Sequence, residues 1–162
     1  MTRYAPLRRI ITSHASTDTD GTSVELHDAC IPLRPALAGN AGLAPLFATV
    51  GLPARSPPTL SDTDIEAAQA LVPRVVTPGG VNAQVTELAP HFRVGMHRTN
   101  SLDYNVFVAG SAYLITPKGD GEERTLVRPG EVVVQRGTLH AWEATEEGAR
   151  SWTRSCSDRI AS

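Results

Sequence analysis

The chain has 162 residues, 41% of them hydrophobic and 20% charged, with a formal net charge of -2 and a sequence pI near 6.2. This is the length and composition of one ordinary globular domain, able to bury a core without disulfides or a structural metal. The near-neutral charge gives no electrostatic reason to expect nucleic acid or an anionic membrane as a partner, and no apolar run is long enough to span a bilayer.

The first nine residues lack the apolar stretch of a secretory signal, so a cytoplasmic protein is expected. Cys30 and Cys156 have no spacing that suggests a disulfide framework or a zinc site, and they read as thiols in a reducing compartment. Residues 9–12 and 23–26 read as short strands around a polar turn at 17–21. A proline- and glycine-rich stretch at 31–40 and an apolar piece at 46–50 follow. Pro53, Pro57 and Pro58 then mark a loop that no helix can cross. Residues 63–72 predict one short helix, with Thr63 and Glu66 as a capping box, an apolar stripe of Ile65, Ala68, Leu71 and Val72, and Pro73 as its stop.

From Val75 onward the pattern is that of strands. Residues 81–88 alternate at period two. Residues 104–108 and 111–115 flank Ala109-Gly110, a hairpin signal, and 116–121 form a second turn. Residues 126–127, 131–134 and 141–143 continue the series. Short strands at regular spacing with glycine-rich turns predict a β-sandwich or a closed barrel.

His97, Asp103 and Gly110, then Gly130, Gly137 and His140, stand at the spacing of two motifs by which residues 79–150 resemble the cupin superfamily. Thr99 occupies the place of that family's second histidine, Asp103 that of its glutamate, and Gln135 that of a proline. Residues 96–104 and 134–142, and the opening at 7–14, are similar to small single-domain cupins of fungal and bacterial secondary metabolism. Those proteins are labelled cupin-domain oxidoreductases of polyketide clusters. The resemblance implies an all-β, double-stranded β-helix, the cupin jelly-roll barrel, as one domain over 1–162. An N-terminal arm with loops and the short helix would occupy 1–78, the barrel core 79–150, and a polar tail 151–162. The tail is polar where an apolar closing strand is expected. Arms of this kind commonly extend a neighbour's sheet, so a homodimer is expected.

On an extended strand His97 and Thr99 point the same way, and Asp103, Asn105 and Phe107 share a face. In a jelly roll these faces line the interior together with His140. The cupin pattern of His-x-His, Glu and His holds a divalent transition metal. With Thr99 a poor ligand, His97, Asp103 and His140 are left as the candidate set for iron, zinc, nickel or manganese. The same three residues also suit metal-free acid–base chemistry, with Asp103 orienting a histidine. Thr99, Asn105, Phe107, Gln135 and Trp142 are candidate substrate contacts. Tyr113 with Phe107 and Trp142 can form an apolar wall, whereas Tyr104 reads as core. Arg98 and Arg136 read as rim salt bridges, and His14, His27 and His91 as surface or loop residues. The function expected is a small-molecule tailoring enzyme of polyketide-like metabolism acting on an aromatic or carbonyl compound. The alternatives are a metal-free lyase, isomerase, decarboxylase or cyclase, and a non-catalytic small-molecule-binding cupin.

Overall fold

The computed structural model describes residues 7–15, 24–51, 59–72 and 75–157, the last four as backbone alone. The turn expected at 17–21, the proline loop at 53–58, Pro73 and the end of the tail lie outside these residues. In chain order the elements are β1 Leu7–His14, β2 Val24–Ile31, β3 Arg34–Ala36, a 3-10 turn Leu37–Gly39, β4 Ala41–Val50, α1 Asp62–Ala70, β5 Gly80–Leu88, β6 Arg93–His97, β7 Leu102–Lys118, β8 Gly121–Val127, β9 Val132–Arg136 and β10 His140–Ser157. Every strand pairing among the described residues is antiparallel. The fold is the all-β jelly roll the motifs imply, with an N-terminal arm and one helix.

Two long strands, β7 and β10, organise the barrel. The first part of β10 pairs with β6 on one side and with residues 112–115 of β7 on the other. Its later part, residues 149–157, pairs with β5 and with residues 102–110 of β7. β8 and β9 extend the two ends of β7. The barrel sheet thus reaches beyond 79–150 on both sides, through β3 and β4 before it and through Ser157 after it.

Ala109-Gly110 does not turn the chain, contrary to the hairpin expected there. β7 runs straight through it, and the register jumps from Ala112 opposite Ala144 to Gly110 opposite Ala149. Gly110 and Gly148 sit at this irregularity with φ of 61° and 75°. A Cβ on Gly148 would also lie 2.8 Å from the Leu88 carbonyl oxygen. A glycine between two β-rich runs fits a bulge as well as a hairpin, and here it marks a register shift between the two long strands.

The helix begins earlier than its stripe suggests. Ser61 is the N-cap: its hydroxyl accepts from the Asp64 N–H at 3.2 Å, and the Asp64 carboxylate accepts from the Ser61 N–H at 2.8 Å. This box displaces the one expected at Thr63 and Glu66, because serine is the better cap and aspartate serves at its third position. Ile65, Ala68 and Val72 are buried, while Leu71 is exposed.

The arm folds onto its own barrel. Ile31 packs with Ala44 and Val85, joined by Leu7, Ala29, Leu33 and Leu46, so the β1–β2 hairpin covers the outer face of β4 and β5. The Arg9 guanidinium donates to the Leu46 carbonyl at 3.0 Å. No helix among the described residues is long and apolar enough to cross a membrane.

Candidate functional site

Alternation along β7 turns Asp103, Asn105 and Phe107 inward. β9 contributes Gln135, β6 ends at His97, and β10 opens with His140 and Trp142. All eight residues singled out from the sequence line one cavity of about 280 Å3: His97, Thr99, Asp103, Asn105, Phe107, Gln135, His140 and Trp142. A second hollow of about 390 Å3 between the hairpin and α1 contains none of them.

His97 and His140 face each other across the β6–β10 pairing, with ring centroids 4.4 Å apart. The same local geometry fixes both rings. His97 Nδ1 lies 2.8 Å from the Gly95 carbonyl oxygen and His140 Nδ1 lies 2.9 Å from that of Thr138. A carbonyl only accepts, so each Nδ1 carries a proton, and in the neutral ring Nε2 is the nitrogen with the lone pair. Burial pushes the His140 pKa below its ordinary 6.5, opposed by the hydrogen bond to Thr138, reinforced by nearby His97 and opposed by Asp103. His140 is therefore neutral near pH 7.

Thr99 does more than leave a ligand position vacant. Its hydroxyl donates to Asp103 Oδ2 at 3.0 Å and fixes the carboxylate. Deeper in the cavity, the Thr153 hydroxyl donates to Asn105 Oδ1 and Asn105 Nδ2 donates to Gln135 Oε1, each at 2.7 Å. Phe107 and Trp142, with centroids 5.2 Å apart, form the apolar wall.

Among the described residues, no three His, Cys, Asp or Glu side chains are grouped as a metal ion needs. The two imidazoles stand close together, with Thr99 in place of a further ligand and its hydroxyl occupying one of the two Asp103 carboxylate oxygens. His97, Asp103 and His140 line the same cavity without being drawn together as a three-ligand metal group.

Several other expectations change. Tyr104 is exposed on the outer face of β7, not in the core. Tyr113 lies outside the apolar wall, with the Arg124 guanidinium 4.5 Å above its ring. Arg98 and Arg136 are exposed, and neither forms an ion pair among the described residues. The polar tail has a structural reason: β10 closes the barrel, and Ser151 and Thr153 are polar because they face the cavity. Gln84, Thr86 and Leu88 of β5 also line it. The period-two alternation of residues 84–88 and 151–153 was the available signal for them.

No family model matches the chain. A cupin-domain-containing oxidoreductase from Aspergillus ruber is 38% identical over 79 residues, 49% of this chain and 37% of the relative. Phomopsin biosynthesis cluster protein D from Diaporthe leptostromiformis is 37% identical over 70 residues, 43% of this chain and 35% of that protein. A cupin-domain-containing oxidoreductase from Neurospora crassa is 29% identical over 140 residues, 86% of this chain and 66% of the relative. The matched region thus spans about a third of the first two relatives. Among solved structures, a variant of Bacillus subtilis oxalate decarboxylase superposes with a TM-score of 0.51 at 14% identity, over 80% of this chain and 29% of that one. That similarity shows the fold.

Proposed function

We propose that this chain, a cupin by its fold and its relatives, is a tailoring enzyme of secondary metabolism that moves protons on a small aromatic or carbonyl compound. The observation that carries this reading is the pair of imidazoles, His97 and His140, each oriented by its Nδ1 hydrogen bond and both lining one mostly apolar cavity. The relatives' names, two cupin-domain-containing oxidoreductases and a biosynthesis cluster protein, support the biosynthetic setting.

Neutral His140 takes the proton from a carbon next to a carbonyl or from a phenol. The bonding pair stays on the substrate as an enolate or phenolate. The charge of Asp103 favours the resulting imidazolium. Returning the proton to another atom gives an isomerisation, expulsion of a neighbouring leaving group gives a lyase reaction, and attack of the enolate or phenolate on a carbonyl carbon of the same molecule, whose oxygen takes the proton back, gives a cyclisation.

Exchange of α-protons in D2O, followed by NMR on a panel of β-dicarbonyl and acylphenol compounds, tests this. The wild type should exchange faster than buffer, insensitively to chelator, and His140→Ala should lower the rate about 100-fold or more. Absence of exchange across the panel removes the proton-transfer reading. The relatives' names also favour an oxidoreductase, which near-stoichiometric metal and chelator-sensitive turnover would establish instead.

The shift at His140 sets two pH dependences. A base of lowered pKa stays active to lower pH, so the acid limb should have its midpoint below 6.5. In the unfolded chain the same group takes its proton near 6.5 while the folded site resists it. Its contribution to stability is therefore whole above pH 6.5 and is lost as pH falls from there through the folded pKa. An acid limb at or above 6.5 would count against His140 as the base.

A further inference from the structure

Two buried polar atoms on the cavity wall have no partner among the described residues: Asp103 Oδ1 and Gln135 Nε2. Their residues are only 4% and 5% exposed. Each is oriented by its other atom. Asp103 Oδ2 accepts from Thr99, and Gln135 Oε1 accepts from Asn105, which Thr153 holds in turn. The fixed carboxylate therefore presents a bare acceptor, and the fixed amide presents a bare donor.

The two residues are also direct partners across the β7–β9 ladder. Side chains opposite each other on antiparallel strands stand about 5 Å apart at Cβ. Acceptor and donor are thus neighbours, beside the imidazoles and the Phe107–Trp142 wall. Buried groups without partners are rare because their desolvation is uncompensated, so such a pair points to a ligand that completes it.

We propose that Asp103 and Gln135 form a recognition subsite for a hydroxyl adjacent to a carbonyl, as in an ortho-acylphenol or an enolised β-dicarbonyl compound. The hydroxyl donates to Asp103 Oδ1 and the carbonyl accepts from Gln135 Nε2. The ring or chain lies against Phe107 and Trp142. A free carboxylate is excluded, because it would set an anionic oxygen against Asp103. With about 280 Å3 available, the ligand is of one- or two-ring size. The proposal rests on the reading that this cavity is the working site, and it assigns that site a substrate class.

The test uses binding, not turnover. Titrations by ligand-observed NMR compare 2′-hydroxyacetophenone with its methyl ether, with acetophenone, and with the lactam 2-piperidone. The hydroxyketone should bind at least tenfold more tightly than the other three. Asp103→Asn and Gln135→Leu should each abolish that preference, with melting curves confirming that both fold. If one variant does not fold, the ranking on the wild type and the other variant decides. Equal binding of all four probes, a preference for the lactam, or a ranking unchanged in both variants overturns the subsite. Selective binding without α-proton exchange leaves the subsite standing and removes the enzymatic reading alone.

Discussion

The two ends of the barrel are built in opposite senses. Where β7 pairs β8 and the start of β10, Ala112, Val127 and Ala144 lie inside and ion pairs such as Arg124–Glu143 and Arg93–Glu122 lie outside. Where β7 pairs β9 and the end of β10, Asp103, Asn105, Gln135 and Thr153 lie inside, while Tyr104, Val132, Val134 and Trp152 are exposed. The first end is an apolar interior except where β10 opens, at His140 and Trp142, onto the cavity. The second gives up apolar packing for a polar, partly unpartnered lining, the arrangement expected of a site shaped for something other than stability.

The sharpest way to break this contrast is Asn105→Leu. It leaves the Thr153 hydroxyl and the Gln135 carbonyl buried without partners, and should lower stability by about 2–3 kcal/mol in urea unfolding. The triple change Asn105→Leu, Gln135→Leu and Thr153→Val removes the whole relay. It should recover most of that loss, to within about 1 kcal/mol of wild type, while abolishing small-molecule binding. A single variant as stable as the wild type would mean the relay is not formed.

The reversed exterior carries the next prediction. Val106 lies opposite both Val132 and Trp152, and Tyr104 opposite Val134, so these side chains form one apolar surface across three strands. We propose that a second copy of the chain covers it, by this face and not by the arm, which lies on its own barrel. Light scattering should give about twice the 17.3 kDa of one chain. Trp152→Glu should weaken self-association at least tenfold, about 1.4 kcal/mol, with little change in the melting of the monomer. A wild type that is monomeric at all concentrations rules the dimer out.

The inward face of β7 was legible because its pattern and the strand period agree: Asp103, Asn105 and Phe107 fall two apart, and the motif glycines fixed the register around them. Three things were hidden, each for its own reason. Gly110 reads the same whether a chain turns back or only shifts register. Thr153 sits in a polar segment whose burial depends on β5 and β7 closing over it. The link from Thr99 to Asp103 requires knowing that the segment after β6 returns its threonine to the carboxylate. Local sequence carries period; it does not carry which distant strand supplies the hydrogen-bond partner.

The smallest effect belongs to the conventional end. Arg124 reaches Glu143 through two nitrogens, at 3.0 and 2.8 Å, and also covers the Tyr113 ring. The guanidinium holds the Glu143 carboxyl below its ordinary range. Both groups are solvent-accessible, so geometry alone overstates their worth. Arg124→Ala should lower the urea midpoint only slightly, and 1 M salt should reduce the difference. Because the folded pKa of Glu143 is lowered, this contribution is whole above the unfolded carboxyl range and is lost as pH falls through the folded value. Measured against Asn105→Leu, it separates two kinds of polar contact. Ion pairs in water are replaceable by water. The relay inside the cavity is not, and for that reason its unfilled atoms are the ones a ligand must meet.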